Sequence, residues 1–283
     1  MLEHLTIGEG TIAFDVTGSG PLVVLAHGMG DTRHSYRFVV PELVAAGYRV
    51  ANVDIRGCGD SSATGWAGYE RADIAGDLLA VVRHLGGPAV IVGQSISGGA
   101  ATIAAATAPD LVVGIVELAP FTRKQSFDLL GVLRTKRVRT GMTQLMKVML
   151  SSSLKGWMSY LDIAIPTKLA DWAQERARIE TMLREPARMA VLNAMTKTSP
   201  TDAGEHLAGV RCPVLIVEGS ADPDWADPRV EGEKIIAELA DGLGELAVID
   251  GAGHYPHAET PKEVLELLLP FLRTTLTTAA TGA

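Results

Sequence analysis

Ser95 is the residue whose surroundings most clearly predict chemistry. It lies in the run 93–99 (GQSISGG), between the apolar stretch Ala89–Val92 and an alanine-rich stretch typical of a helix. A β-branched run, a serine among small residues and then a helix indicate a strand-to-helix turn that exposes the serine at a tight corner. The turn brings two backbones close together, so Gly93 and Ser97 must be compact. We therefore predict that Ser95 is a nucleophile.

The run departs from the usual G-x-S-x-G pattern at its last position. Ser97 stands where a glycine is expected, although serine is still small and Gly98 and Gly99 follow. Serines near glycines also occur in ordinary solvated turns, so the motif alone leaves that interpretation open.

A serine hydroxyl becomes a good nucleophile only when a base removes its proton and a carboxylate orients that base. Asp222 follows the apolar run Val214–Val217, and His254 follows Leu246–Ile249 in a glycine-rich loop. Each would lie just past the C-terminal end of its strand. We therefore expect Ser95, His254 and Asp222 to meet at one sheet edge.

Neighbouring residues compete for two of these roles. Asp224 and Asp227 are alternatives to Asp222, but Asp222 has the better position after the strand, and Asp227 is better interpreted as a helix cap. His257 is the less favoured base and is interpreted as a packing or rim residue.

The oxyanion of a tetrahedral intermediate needs hydrogen-bond donors, and backbone N–H groups commonly supply them. We predict one donor at Ile96, which directly follows the nucleophile at a helix N-terminus. The second is assigned to Met29, in the glycine-rich loop 27–31 (HGMGD) after the run Leu22–Ala26. His27 in the same loop is interpreted as structural, because a second base is unnecessary.

Apolar runs bounded by turn residues alternate with helical patterns along most of the chain. Continuous apolar strands indicate burial on both faces, as in a parallel sheet. The predicted strands are Thr11–Val16, Leu22–Ala26, Arg49–Val53, Ala89–Val92, Val113–Leu118, Val214–Val217 and Glu245–Ile249. The predicted helices are Ser35–Ala46, Ala72–Leu85, Ile96–Ala108, Val230–Leu239 and Pro261–Thr275. This alternation predicts an α/β fold with a doubly wound, mostly parallel sheet.

Residues 121–198 interrupt the alternation, because they have helical composition and no convincing strand. We predict an inserted helical cap there, with 1–120 and 199–283 forming the core. The cap should rise from the C-terminal edge of the sheet, where ligands bind in such folds. The small, polar tail 274–283 is expected to fray.

Two features of the predicted cap each permit two interpretations. Its apolar side chains could pack on one another or line an acyl pocket; they are Phe121, Phe127, Leu129, Leu130, Met142, Leu145, Met146, Met149, Trp157, Met158 and Tyr160. Its basic side chains could form a solvated helix face or a rim that steers anions; they are Arg123, Lys124, Arg134, Lys136, Arg137, Arg139 and Lys147.

Composition restricts the class of protein and its partners. With 283 residues and 47% hydrophobic content, the chain can form a sizeable core. A net charge of −8 argues against a nucleic-acid surface, and no apolar run approaches the ~18 residues that span a bilayer. Cys58 and Cys212 cannot form a disulfide framework, and the N-terminus lacks the layout of a secretory signal. We expect a cytoplasmic protein.

Four motifs occur in an order that resembles the α/β-hydrolase family, in its cap-bearing serine hydrolase branch. They are HGMG at 27–30, DIRGCGDS at 54–61, GQSISG at 93–98 and GAGHYP at 251–256. The resemblance covers nearly the whole chain. It implies that the loop 54–61 is structural, so no chemistry is carried over to Asp54, Arg56 or Ser61.

The resemblance and the residues together favour a serine hydrolase that cleaves a carboxylic ester, lactone or thioester through an acyl-enzyme. Serine at the nucleophile position argues against epoxide hydrolases and haloalkane dehalogenases, which use aspartate. The alternatives are a C–C bond hydrolase of a dienoic ketone and a hydrolase-fold ligand receptor with slow turnover. We expect a small-molecule acyl substrate, no cofactor and no metal, and the sequence leaves a homo-oligomer open.

Overall fold

An eight-stranded sheet runs through the computed structural model, which describes residues 1–123 and 134–281. The strands are β1 (Leu2–Ile7), β2 (Gly10–Thr17), β3 (Leu22–Ala26), β4 (Arg49–Asp54), β5 (Ala89–Gln94), β6 (Val112–Leu118), β7 (Val214–Gly219) and β8 (Gly244–Ile249). Their order across the sheet is β1-β2-β4-β3-β5-β6-β7-β8. From β4 to β8 all neighbours are parallel, whereas β1 pairs with β2, and β2 with β4, in antiparallel fashion. The predicted α/β fold is therefore confirmed.

All seven predicted strands are present, and the prediction missed β1. Its residues alternate between exposed and partly buried positions, because β1 lies at the edge of the sheet and pairs on one side only. The central strands differ, since every residue of β3 and β5 is buried. The prediction relied on runs of consecutive apolar residues, which β1 lacks, whereas β8 at the other edge contains the run Leu246–Ile249 and was predicted.

Helices cover both faces of the sheet. They are α1 (Val40–Ala45), α2 (Arg71–His84), α3 (Ile96–Thr107), α4 (Lys136–Ser151), α5 (Leu154–Ala164), α6 (Trp172–Leu183), α7 (Pro186–Met195), α8 (Thr201–His206), α9 (Pro228–Glu238), α10 (Pro256–Glu259) and α11 (Pro261–Thr281), with 3₁₀ turns at Arg33–Tyr36 and Leu207–Gly209. Successive strand residues point to opposite faces, so Val24 and Ile91 pack in one layer while Val23 and Val90 pack in the other.

Two predicted helix boundaries were wrong. The predicted helix Ser35–Ala46 is divided into a 3₁₀ turn and α1, with Pro41 in the first turn of α1. The tail does not fray from residue 274, because α11 continues to Thr281. Buried Thr275 and half-buried Leu276 pack on the sheet and hold this last part of the helix.

Between β6 and β7, the described residues 134–198 contain α4, α5, α6 and α7 and no strand, and α8 follows before β7. These helices have their own apolar cluster, in which Trp157, Leu161, Ile179 and Leu192 are buried. The division at residues 121 and 198 stays a prediction. Lys124, Phe127, Leu129 and Leu130 lie outside the described residues, so their predicted roles cannot be compared with the fold.

The sequence predicted neither a disulfide framework nor a membrane-spanning segment, and the cysteines and helices can be compared with these predictions. Cys58 and Cys212 are both buried and free. Within residues 1–123 and 134–281, none of the helices combines the length and the apolar character needed to cross a bilayer.

Candidate active site

Ser95 occupies a strained corner between β5 and α3. Its backbone angles are φ 56° and ψ −119°, a region that residues other than glycine rarely adopt. A Cβ on Gly93 would lie 2.1 Å from the carbonyl oxygen of Ser97, so strand and helix approach as closely as the sequence predicted. The fold therefore forces Ser95 out at the C-terminal edge of the sheet.

Ser97, the departure from the usual motif, has a structural partner. Its Oγ donates a hydrogen bond of 2.6 Å to the carbonyl oxygen of His27. Both residues are fully buried. The hydroxyl thus ties the serine turn to the loop after β3, a link that glycine could not make.

Asp222 and His254 meet at the ends of β7 and β8. His254 Nδ1 lies 2.8 Å from Asp222 Oδ2, and both side chains are buried. The other oxygen of Asp222 accepts the backbone N–H of Asp224 at 2.8 Å. Because Nδ1 then carries the proton toward Asp222, the Nε2 lone pair of the neutral ring is available to accept a proton.

Three contacts fix the backbone around His254. Its N–H donates to the carbonyl of Ala164 at the end of α5 at 2.8 Å. Its own carbonyl accepts a 2.9 Å hydrogen bond from Gln94 Nε2, next to Ser95. A Cβ on Gly253 would lie 2.2 Å from the Ala164 oxygen, so glycine is required before the histidine.

Asp224 is a second carboxylate beside the same ring. Its Oδ2 lies 3.4 Å from His254 Nδ1 and accepts a 2.6 Å hydrogen bond from the hydroxyl of Tyr160. Asp222 is the closer acid, as the sequence favoured, but the structure brings both to the ring. Asp227 instead caps α9, accepting the N–H of Val230 at 3.2 Å, which confirms that prediction.

Burial and the two acids act in opposite directions on His254. Burial by itself would lower the pKa of the imidazole, but the Asp222 and Asp224 carboxylates outweigh it and hold the pKa above 6.5. Burial and the nearby Asp222 charge raise the pKa of Asp224, although His254 and Tyr160 oppose them. The ring therefore sits in a site that stabilises imidazolium.

Asp222, Asp224 and His254 also form a potential metal-ligand set, because one donor atom of each lies within 4.8 Å of the others. Hydrogen bonding already explains this proximity. His254 Nδ1 is directed at Asp222, and Asp224 is bonded to Tyr160.

Ser95 and His254 line one cavity of about 220 Å³. No hydrogen bond among the described residues joins the Ser95 hydroxyl to the His254 ring. Such contacts are often long before substrate binds and shorten in the reactive complex. The rest of the described lining is mostly apolar, and it consists of Met29, Arg71, Phe121, Met142, Leu145, Met146, Met149, Trp157, Tyr160, Met195, Thr196, Thr198, Pro200, Asp224 and Tyr255.

The predicted oxyanion donors are near Ser95: Met29 lines the same cavity, and Ile96 is the first residue of α3 directly after Ser95. The described residues include no hydrogen-bond acceptor for either backbone N–H. A Cβ on Gly28 would lie 2.1 Å from Gln94 Oε1, so the loop carrying Met29 packs directly against the serine turn. Two unpaired N–H groups next to a nucleophile are what an oxyanion requires.

His27 and His257, the two histidines interpreted as structural, have packing roles. His27 is buried, with Nδ1 2.7 Å from the Gly28 carbonyl and Nε2 accepting the Ile55 N–H at 3.2 Å. Burial lowers the pKa of His27 to about 4, so it is neutral and fully bonded. His257 is buried and stacks on Tyr36 with ring centroids 4.3 Å apart. Both observations agree with the structural interpretations made from the sequence.

The loop 54–61 forms structural bonds. Arg56 makes two hydrogen bonds to Asp77, at 2.7 and 2.8 Å. Ser61 Oγ donates to the Asp54 carbonyl at 2.6 Å. None of these residues lines the cavity that contains Ser95.

Basic residues predicted for the cap bond to acidic side chains and backbone carbonyls elsewhere in the protein. Arg123 pairs with Glu231 at 3.2 Å and with Glu238 at 2.9 Å. Arg137 Nε donates to the Asp222 carbonyl at 3.0 Å and so braces the loop that carries the acid. Neither lines the cavity. An anion-steering role for the others stays a prediction.

Sequence reasoning missed the roles of three residues around the cavity. Gln94 holds the His254 loop, Tyr160 bonds Asp224, and Arg71 lines the wall near Ser95. Gln94 lies inside the serine motif, so its position was a usable signal. No sequence signal pointed to Arg71, because a charged residue at the start of a helix usually faces solvent.

Comparisons with known proteins agree with this architecture. The Alpha/beta hydrolase family model matches residues 23–267. The chain is 28% identical over 280 residues to 2-(acetamidomethylene)succinate hydrolase of Mesorhizobium japonicum, covering 95% of this chain and 94% of that protein. It is 28% identical to a probable esterase of Oryza sativa subsp. japonica, covering 90% and 93%. Among solved structures, the bromoperoxidase from Bacillus anthracis matches with a TM-score of 0.81 and 25% identity over 96% of this chain and 100% of that chain.

Proposed function

Because the chain belongs to the alpha/beta hydrolase family, we propose that it cleaves a carboxylic ester, lactone or thioester through an acyl-enzyme on Ser95. The observation that carries this proposal is the 2.8 Å contact between Asp222 and His254 on the edge where the strained Ser95 opens into an apolar cavity. A carboxylate that orients a histidine beside a serine on the wall of a cavity suits acyl transfer.

In the first half-reaction, the Ser95 oxygen attacks the acyl carbonyl while His254 Nε2 takes the hydroxyl proton. The oxygen of the tetrahedral intermediate is held by the N–H groups of Met29 and Ile96. His254 then donates the proton to the leaving alcohol or thiol, and the C–O or C–S bond breaks. Asp222 keeps Nδ1 protonated and stabilises the imidazolium throughout.

In the second half-reaction, His254 removes a proton from water, and the hydroxide oxygen attacks the acyl-enzyme carbonyl. The same two N–H groups hold the second oxyanion. Its collapse breaks the bond to Ser95, which recovers the proton from His254, and a carboxylic acid is released. No cofactor takes part in these steps.

The cavity supports an acyl group with apolar character. Its lining includes Met29, Met142, Leu145, Met146 and Met149. Methionine side chains adapt to differently shaped ligands, so this wall suits a class of acyl chains. The relative named a probable esterase supports ester cleavage.

Labelling with a serine-directed fluorophosphonate, followed by peptide mass spectrometry, tests the mechanism. We expect modification of Ser95 and at least hundredfold slower labelling in His254→Ala, since a general base contributes about 10²–10⁴ in rate. Ser151→Ala, which removes an exposed hydroxyl at the end of α4, is the control and should label normally. Absence of label on Ser95 would contradict the proposal.

A panel of chromogenic esters, lactones and thioesters of graded acyl length separates the alternatives. Sustained turnover supports the proposal, and the preferred acyl length indicates how long an acyl chain the pocket accepts. Labelling of Ser95 with negligible ester turnover would favour C–C bond hydrolysis instead. Very slow turnover with a large ligand-induced rise in melting temperature would favour a receptor.

A further inference from the structure

Arg71 is a buried cation on the wall of the cavity that contains Ser95. It is the first residue of α2, and its side chain is 2% exposed. The side chain lies over the first turn of α3, where a Cβ on Gly99 would be 2.7 Å from Arg71 Cδ and 3.0 Å from Nε. Gly99 follows Ser95 by about one helical turn, or ~6 Å along the axis. Arg71 and Ser95 therefore line the same cavity, about one helical turn apart along α3.

The partners of Arg71 are neutral. Its Nε donates to the Phe121 carbonyl at 2.8 Å, and Nη1 donates to Thr198 Oγ1 at 3.1 Å. No carboxylate of the described residues lies within 4.0 Å of it. A guanidinium carries more N–H donors than these two acceptors use. Arg71 therefore retains hydrogen-bonding capacity inside an apolar cavity.

Arg56 shows what this chain does with a buried arginine that has only a structural role. Arg56 is also buried, and it forms a bidentate pair with the carboxylate of Asp77 at 2.7 and 2.8 Å. Burying a charge without such a partner is costly. Burial lowers the pKa of Arg71 to about 10, opposed by the more distant Asp202 and Glu70, so Arg71 remains cationic at neutral pH. A ligand that supplies the missing carboxylate would recover that cost.

We propose that Arg71 binds a carboxylate group of the substrate, so that the protein acts on an acyl compound bearing a free carboxylate near the scissile bond. This rests on the proposed function for the position of the reacting carbonyl. Arg71 is the single arginine or lysine among the described lining residues, and Asp224 on the same cavity is acidic. The single guanidinium balances the charge of a monoanionic carboxylate but not that of a phosphate dianion.

Binding to a Ser95→Ala chain tests the proposal without requiring turnover. Isothermal titration calorimetry compares hexanoate with 1-hexanol, which have similar apolar parts and differ in the carboxylate. We expect hexanoate to bind about 10- to 100-fold more tightly, as hydrogen bonds between charged groups imply. Adding Arg71→Gln should remove that preference. Arg83→Gln, an exposed arginine on the same helix, is the matched control and should keep it.

Equal binding of the two ligands, binding of neither, or an undiminished preference in Arg71→Gln would overturn the proposal. If Arg71→Gln does not fold, Arg71→Lys serves instead. It keeps the charge but loses the planar fork, so the preference should fall several-fold without vanishing. Failure of Ser95 labelling together with an intact hexanoate preference would reject the acyl-transfer mechanism and leave the carboxylate site standing.

Discussion

Asp222 Oδ2 lies 2.8 Å from Nδ1 of His254, at the ends of the adjacent parallel strands β7 and β8. The bond places a buried carboxylate behind the ring and leaves Nε2 for proton transfer. Asp224 faces the same nitrogen at 3.4 Å while holding Tyr160. The two acids therefore differ in geometry, and their roles can be separated by experiment.

Asp222→Asn should lower kcat for ester hydrolysis by about 10²–10⁴, because an amide can no longer hold the ring in the productive tautomer or stabilise imidazolium. Asp224→Asn should lower kcat less than tenfold. Steady-state kinetics on one chromogenic ester provides the comparison. Equal losses in the two variants would show that Asp224 shares the orienting role.

The pH profile of kcat/KM should fall on the acid side, and the midpoint of this acid limb should lie above pH 6.5. The base must be neutral to accept the Ser95 proton, and the two carboxylates raise the pKa of His254 against the effect of burial. Activity should therefore rise as pH increases through that raised pKa. Asp224→Asn removes one of the charges, so its limb should move to lower pH. An acid limb at or below pH 6.5 in the wild type would contradict this expectation.

Gly28→Ala should lower kcat by about 10²–10³, the usual effect of losing one oxyanion donor. The new Cβ would lie 2.1 Å from Gln94 Oε1 and 3.0 Å from Ser95 Cβ. Because Gln94 Nε2 is bonded to the His254 carbonyl, we expect the loop carrying the Met29 N–H to move away from Ser95. Gly76→Ala in α2 is the control, because a Cβ there meets nothing within 4 Å. Its kcat should match that of the wild type. An unimpaired Gly28→Ala enzyme would remove Met29 from the proposed mechanism.

Ser97→Ala should lower the free energy of unfolding by about 1–3 kcal/mol, because the buried His27 carbonyl loses its 2.6 Å hydrogen bond. Urea denaturation followed by circular dichroism gives this value. Ser35→Ala provides the comparison, since the Ser35 hydroxyl is buried and has no partner among the described residues. Ser35→Ala should lower the free energy of unfolding much less than Ser97→Ala does. Similar losses in both variants would show that the Ser97 bond adds no specific stability.

Local patterns determined much of the architecture. Seven strands and the alternation with helices could be predicted, because each of these strands has an apolar run bounded by turn residues. The edge strand β1 carries no such signal, and neither does the end of α11, whose order comes from contact with the sheet. The positions of Ser95, Asp222 and His254 after their strands followed from the same patterns. Their catalytic roles stay predictions for the tests above.

The sequence by itself determined the strand-to-helix corner at Ser95 and the strand ends that carry Asp222 and His254, because backbone conformation there depends on neighbouring residues. Tertiary structure decided what surrounds them. The approach of Asp224 to the ring, the tie from Ser97 to His27 and the placement of Arg71 beside Gly99 each join segments distant in the chain. Such distances depend on how helices pack on the sheet, and no local pattern records them.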